Sequence, residues 1–590
     1  MRKVGRILLW AFAVVGVLTI SIVAAVTLFT LSVRGDAPTL PDQAVLSLDL
    51  TLAPLEQRTT QPLFDPEPEP TLQEMLAAIE AAADDPQIKA LRAEVGGAGL
   101  GVAQAQELAE AIRTFRESGK PALAFASDLG ALGDEMADVA VATAFSELWL
   151  QPSGGVGLSG IALEAPFFAE ALNDLEIDPQ VGQRHEFKGG IDPLIRQGYS
   201  EPVRRSLQRV VDGWVDQLAG EIAANRGMAP DAVRALVDRG PLLAREAFEA
   251  GLVDRIGYRD EAGLALDEAL GAEADPVSVA HYRAARADAE APARTVALIY
   301  GVGPIEAVEE PDPFFGDDSF GPARVAQAME DALADDQIAA VLFRVTSPGG
   351  AYGPSDEVRR AVRRLREAGK PVIVSMGDVA ASGGYMVSLD ADRILASPGT
   401  LTGSIGVYSG KLATRGFWDS LGVQWGEVSA GENAGMWSFI DRFDPAERER
   451  FEAMLDFVYD DFTGHVARAR NFSPEQLDQA ARGRIWLGSD ALEAGLVDRV
   501  GGFKAALEET RALLDLPADA PLDLRLMPEP KSPFEAVMEW IDGGGGVEEF
   551  ADALITSVVA RRVEPVTGDL TTLRALMAGP VAMPPIRRVE

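Results

Sequence analysis

The chain has no cysteine in 590 residues. Thiol nucleophiles, cysteine-ligated zinc and disulfides are therefore excluded, and redox chemistry leaves no mark from which a compartment can be read. Histidine is nearly as scarce, with only His185, His281 and His465, which argues against a histidine-rich metal site. Positive charge is in deficit: 53 Lys and Arg stand against 91 Asp and Glu, a net charge of −38. That balance argues against nucleic acid as a partner and against broad attraction to anionic lipid headgroups. Its plainest meaning is a solvated acidic surface. Against these absences, 47% hydrophobic and 24% charged residues are ordinary for a globular protein. The length exceeds what one core can organise and points to roughly two to four domains.

The one long uncharged run lies at the start. Residues 1–6 carry Arg2, Lys3 and Arg6, and the 27 residues from Ile7 to Val33 hold no charge. About 20 apolar residues span a bilayer as a helix. A cleavable leader has a shorter apolar region, so residues 7–33 read as an uncleaved anchor. Basic residues before the span and Asp36 and Asp42 after it put the tip 1–6 in the cytoplasm and the rest outside. For a bacterial chain this is the periplasmic face of the inner membrane. The acidic, proline-rich residues 61–70 read as an exposed loop.

From about residue 44 the chain repeats itself. AVLSLDLTLAPLEQ is similar to VALIYGVGPIEAVE, and DDPQIKALRAEVGG from Asp84 to DDQIAAVLFRVTSPGG from Asp335. ESGKPALAFAS from Glu117 matches EAGKPVIVSMG from Glu367, and EAGLVDR occurs identically at 249–255 and 493–499. Four matches in one order imply two copies of one domain. Short β-branched runs alternate with amphipathic stretches such as VAQAQELAEAIRTFRESG, the pattern of βαβ units in an α/β fold. The expected organisation is a first copy over 44–270, a linker over 271–294, a second copy over 295–515 and a tail over 516–590. The linker run HYRAARADAEAPAR reads as helical or extended. The tail holds the Gly543–Gly546 run and an amphipathic stretch, EEFADALITSVVARR, without a role.

The stretch 371–407 carries the chemistry. PVIVSMG reads as a buried strand and SGGYMVSLDA as the helix after it, with the small residues Ala380 to Gly384 at the junction. Ser382 then sits at a helix N-terminus, where free N–H groups favour developing negative charge. The flanks are not Gly-x-Ser-x-Gly, because Ala380 holds the first position, so the nucleophile elbow of the α/β-hydrolases is absent. The copies differ in a complementary way. Aligned on Lys120-Pro121 and Lys370-Pro371, Leu132 stands opposite Ser382. The first copy instead has HEFKGGID with Lys188, where the second has AGENAGMW with Asn433 or Ala434. A lysine serves as a base only when neutral, about one molecule in 2,500 at pH 7 for a free side chain. Burial without a carboxylate partner raises that share. Phe187, Gly189 and Gly190 suit such a site, whereas Glu186 and Asp192 suit it only if they point away. Two glycine-bearing loops complete the set. SPGG, Ser347 to Gly350, follows a strand and frees N–H groups, and LTGSIGV carries Ser404, a hydroxyl able to hold a lysine amine.

Together SPGG, VAASGGY, LTGSIG and the repeated EAGLVDR resemble the signal peptide peptidase A family, also called protease IV, in its double-length, membrane-anchored bacterial form. The resemblance runs from the anchor to about residue 515. It implies a ClpP/crotonase-like fold repeated twice and a Ser/Lys dyad split between the copies. Ser382 becomes the nucleophile, Lys188 the general base and Ser404 the residue that orients the lysine. Backbone N–H groups of Gly383 and of Gly349 or Gly350 become the oxyanion hole. It further implies digestion of leftover hydrophobic signal peptides at the bilayer, a homotetramer, and no metal or cofactor. Around the lysine, His185 and Glu186 depart from the pattern.

Three other readings compete. A Ser/His/Asp hydrolase would use His185, and a crotonase-like enzyme would act on acyl-CoA, against which the external location counts. A catalytically inactive membrane scaffold would bind hydrophobic peptides without cutting them.

Overall fold

The computed structural model describes residues 39–58, 69–130, 133, 135–286, 293–307 and 320–529, with the backbone of 587–588. The expected anchor 7–33 and its basic tip, most of the loop 61–70, Leu132, and the Gly543–Gly546 and amphipathic parts of the tail lie outside them. Among the described residues no helix is long and apolar enough to cross a membrane.

The fold is α/β and holds two sheets with the same strand order. In the first, Asp275–Ser278, Ala44–Leu50, Ile88–Val95, Ala122–Ala126, Glu147–Leu150 and Arg255–Ile256 lie side by side, every pair parallel. In the second, Leu522–Leu526, Arg294–Val302, Ile338–Ser347, Val372–Ala381, Arg393–Ala396 and Arg499–Val500 repeat that order, again parallel. Each copy also has a short antiparallel pair: Gly155–Val156 with Leu242–Leu243 as a separate two-stranded sheet, and Leu401–Gly403 with Ile485–Leu487 joined to the second sheet. Asp275–Ser278 lies inside the stretch read as linker, and Leu522–Leu526 inside the stretch read as tail; both are edge strands of the sheets. Residues 281–286 of the linker run lie in the helix Val279–Arg286, and 287–292 lie outside the described residues.

Parallel strands covered on both faces need continuous apolar runs. Ile338–Ser347 supplies one, with only Ala339 and Thr346 less than fully buried. The matching Lys-Pro dipeptides do matching work. Lys120 Nζ donates to the carbonyls of Ala82 and Asp85 at 2.7 and 2.6 Å, and Lys370 Nζ to those of Ala332 and Asp335 at the same distances. In each copy the lysine closes the C-terminal end of the copy's first helix, Leu72–Asp84 or Pro322–Ala334, where unpaired carbonyls gather.

The copies are tied by an antiparallel ribbon that belongs to neither sheet. Asp178–Arg184 of the first copy pairs along its length with Val407–Ala413 of the second, Arg184 opposite Val407 and Asp178 opposite Ala413. This ribbon brings the segment after residue 184 beside the segment before residue 407.

Candidate functional site

Ser382 follows directly on the strand Val372–Ala381 and precedes the helix Gly383–Ser388. That helix is six residues long, shorter than the expected SGGYMVSLDA run; a turn at Ala391, whose N–H reaches the Ser388 carbonyl, closes it. Ser382 itself has φ 56° and ψ −115°. This backbone costs about 1–3 kcal/mol for a residue with a Cβ and persists where the surroundings impose it. Here the Ser382 N–H is held by the Gly403 carbonyl at 2.7 Å.

Lys188 comes from the other copy, four residues past the ribbon. Its Nζ lies within hydrogen-bond distance of Ser382 Oγ at 2.9 Å, of the Ser404 carbonyl oxygen at 2.7 Å and of Ser404 Oγ at 2.9 Å. Lys188 and Ser404 are each 2% exposed and Ser382 is fully buried. The backbones meet closely enough that a side chain would intrude. A Cβ at Gly483, where φ is +83°, would stand 2.5 Å from the Lys188 N, and one at Gly190 would stand 2.4 Å from the Tyr408 ring. Burial alone pushes the Lys188 amine down to about 7. Both nearby carboxylates turn elsewhere. Glu186 takes Arg482 at 3.0 Å, and Asp192 takes Arg196 at 3.0 Å and the Ser200 N–H at 2.8 Å. Phe187 faces the guanidinium of Arg484, 4.2 Å from its ring centre. His185 packs edge-on against Tyr459 with ring centres 4.7 Å apart, and the lysine, not this imidazole, meets the Ser382 hydroxyl.

The glycine loop lies on the serine's other side. A Cβ at Gly349, where φ is +101°, would lie 2.6 Å from the Gly383 N and 2.8 Å from the Ser382 Cβ; one at Gly383 would lie 3.1 Å from the Gly350 N. Three backbone segments thus converge beside Oγ. The Gly349 N–H already reaches Ser347 Oγ at 3.2 Å. Among the described residues, the Gly350 and Gly383 N–H groups have no protein acceptor, so they are the pair free to meet a developing oxyanion.

One set of polar residues behind the site was not expected. Arg344, 1% exposed, pairs with Glu56 Oε2 at 2.9 Å and Glu107 Oε1 at 2.9 Å and reaches Ser375 Oγ at 2.9 Å. Asp378, four residues before Ser382, accepts the Ala103 N–H at 2.8 Å. A lone arginine inside the apolar run AAVLFRV was the signal available, since such a charge must find partners once buried.

The chain matches the model of peptidase family S49 twice, over residues 114–273 and 364–517. Lys188 falls in the first region and Ser382 in the second. The chain is 30% identical over 460 residues to Protease 4 of Salmonella typhi, covering 76% of this chain and 73% of that one. It is 28% identical over 468 residues to the chloroplastic serine protease SPPA of Arabidopsis thaliana, covering 78% and 68%. Over 180 residues, 30% of this chain and 52% of the other, it is 34% identical to a putative signal peptide peptidase SppA of Enterococcus faecium.

Proposed function

The chain belongs to peptidase family S49 and is a serine protease, and from that premise we propose that Ser382 and Lys188 form its catalytic dyad and that its substrates are hydrophobic signal peptides left at a bilayer. The observation that carries the dyad is the 2.9 Å contact of Lys188 Nζ with Ser382 Oγ in a buried site where, among the described residues, no carboxylate meets the lysine. A neutral amine has two N–H groups and one lone pair. Ser404 takes both N–H groups through its carbonyl and its hydroxyl, which leaves the lone pair for the Ser382 proton.

In the reaction, Lys188 takes the proton from Ser382 as Oγ attacks the peptide carbonyl carbon. The oxyanion meets the N–H groups of Gly383 and of the 349–350 loop. Collapse breaks the C–N bond, and the Lys188 ammonium protonates the leaving amine. Water then enters and gives a proton to Lys188 as its oxygen attacks the acyl carbon; collapse breaks the bond from that carbon to Ser382 Oγ, and the Lys188 ammonium returns the proton to Oγ. The substrate class is supported by the name of the Enterococcus faecium relative and by the charge-free run 7–33, which as an anchor would hold the ClpP/crotonase-like copies on the periplasmic side of an inner membrane.

The proposed assembly is a homotetramer. Residues 423–430 stand in the second copy where Asp178–Arg184 stands in the first, yet they lie exposed and outside any strand. Residues 161–167 stand where Val407–Ala413 does, and only Leu163–Glu164 among them is paired, with Arg587–Arg588. Pairing 423–430 of one copy with 161–167 of the next would continue the ribbon head to tail. Light scattering on Val428→Pro, which blocks a strand there, should show smaller particles than the wild type.

The deciding experiment for the dyad is hydrolysis of a hydrophobic reporter peptide by wild type, Ser382→Ala, Lys188→Ala and His185→Ala, each confirmed as folded. Loss of activity in the first two with retention in His185→Ala is expected. An active Lys188→Ala would move the base elsewhere. Silence of the wild type across several peptides would favour a membrane scaffold that binds hydrophobic peptides.

A further inference from the structure

The helix Val102–Glu117 of the first copy buries three polar side chains, Gln104, Gln106 and Glu107, which are 7%, 6% and 5% exposed. Burial of that many polar groups is costly unless each is partnered. Gln104 Nε2 reaches the Pro54 carbonyl at 3.3 Å and Glu56 Oε1 at 3.4 Å in its own copy, whereas Gln106, Glu107 and the helix's first amides meet the second copy. Gln106 Oε1 accepts the Gly399 N–H at 2.8 Å, in the turn that leads into Leu401–Gly403 and Ser404. Glu107 Oε1 accepts from Arg344 at 2.9 Å, on the strand that runs into Ser347 and the 349–350 loop. The helix's first amides, on Ala103 and Gln104, donate to Asp378 Oδ1 at 2.8 and 3.3 Å, on the strand that ends one residue before Ser382. Gly101 makes this approach feasible, because a Cβ there would lie 2.0 Å from Asp378 Oδ2.

The repeat fold does not require this face. Aligned on Lys120 and Lys370, the positions of Gln104, Gln106 and Glu107 fall on Pro354, Asp356 and Glu357 in the second copy's helix Tyr352–Glu367. There Asp356 pairs with Arg359 of its own helix and Glu357 is exposed. The polar face belongs to the copy that supplies Lys188, and its contacts through Gln106 Oε1, Glu107 Oε1 and the amides bound to Asp378 land on segments that end in Ser382, Ser404 or the 349–350 loop, while Glu107 Oε2 takes the Phe503 N–H at 2.6 Å. A dyad split between two bodies needs them placed to within about 0.5 Å. The ribbon alone fixes one side of that joint.

We propose that the Val102–Glu117 helix sets the alignment of the split site, with Gln106, Glu107 and Asp378 as positioning residues that hold Ser382, Ser404 and the 349–350 loop in register with Lys188. This rests on the reading of Ser382 and Lys188 as the dyad.

The test compares Gln106→Ala, Asp378→Ala and Asp378→Asn with Lys504→Ala. Lys504 makes a cross-copy contact at the far end of the same helix, to Thr114 Oγ1 at 3.2 Å. The readouts are kcat and KM on the reporter peptide and the rate of Ser382 labelling by a fluorophosphonate, all well below each variant's melting temperature. Gln106→Ala and Asp378→Ala should lose about 10- to 100-fold in kcat and in labelling rate, with KM changed less than about threefold. Asp378→Asn keeps an acceptor for the helix amides and should recover to within about threefold of wild type, as should Lys504→Ala. The proposal is overturned if folded Gln106→Ala and Asp378→Ala keep their kcat, or if they lose activity only in proportion to unfolded protein. Should Asp378→Ala fail to fold, Gln106→Ala decides alone. Activity in Ser382→Ala or Lys188→Ala would instead bring down the dyad reading; inactivity there, with kcat intact in the helix variants, removes the positioning role only.

Discussion

Lys188 Nζ and Ser382 Oγ stand 2.9 Å apart across 194 positions of sequence. The amine is useful as a base only when neutral, and burial holds it down to about 7. Below that pH it is protonated and has no lone pair for the serine proton. The value of kcat/KM should therefore rise with pH, pass half-maximum near 7 and level off above it. A profile still climbing toward pH 10 would mean an ordinary, charged lysine and would rule out this base.

The same burial has a stability signature. With its folded pKa held down, the unfolded chain binds more protons at this lysine than the folded chain between about 7 and 10.5. Stability from this group therefore rises with pH across that window and is flat below it. Lys188→Met removes the titration. The melting temperature of wild type should climb more steeply from pH 7 to 10 than that of Lys188→Met, whatever the substitution costs in packing. Parallel curves would show that the folded state does not disfavour the charge.

How much of this was legible in the sequence depends on whether the cue was local. The duplication was, because EAGLVDR and the Lys-Pro dipeptides occupy the same places in both copies, and the two sheets repeat one strand order. Ser382 stood out as a small-residue junction after an apolar strand, and Lys188 as a lysine that only one copy has. The ribbon was hidden: DPQVGQR has a proline, two glutamines and no apolar alternation, so its strand character comes from its partner Val407–Ala413 rather than from its own pattern. The helix Val102–Glu117 read as amphipathic with one buried face. Its second buried stretch, Gln104 to Glu107, is polar because it meets the Pro54 carbonyl, the Gly399 and Phe503 amides and Arg344, and hydrophobic periodicity cannot register that.

Two glycines with similar backbones should respond very differently to alanine. Gly483 and Gly119 have φ of +83° and +79°. Each substitution pays the left-handed backbone cost, about 1 kcal/mol. At Gly119 a Cβ meets nothing within 4 Å, whereas at Gly483 it lies 2.5 Å from the Lys188 N and 2.6 Å from the Lys188 Cβ. Gly483→Ala must push the lysine segment away, and a displacement near 1 Å costs about 100-fold in rate. Peptide hydrolysis should fall by about that factor in Gly483→Ala and hold in Gly119→Ala. Equal activities would show that the lysine reaches the serine without this close approach.

Asp378 makes the joint between the copies depend on pH in the sense opposite to Lys188. Burial and the neighbouring Glu56 carboxylate raise its folded pKa to about 6, against the Ala103 and Gln104 N–H groups and Arg344, which pull it down. The folded state therefore holds the Asp378 proton more tightly than the unfolded chain does. Its stabilising contribution is full below about 3.8 and is lost as pH rises through about 6. Asparagine does not titrate, and it keeps one acceptor for the helix amides. Denaturant unfolding of Asp378→Asn and wild type should give a difference that grows in favour of Asn between pH 4 and pH 7, on the order of 2 kcal/mol. A difference that is flat, or that grows in favour of Asp, would mean that Arg344 and the amides outweigh burial. The lysine is a base only above about 7, where Asp378 is charged and its joint is at its weakest. Asp378→Asn should therefore be the more stable protein at the pH where the dyad works while it keeps the acceptor for the helix amides, so that stability and kcat separate at this position.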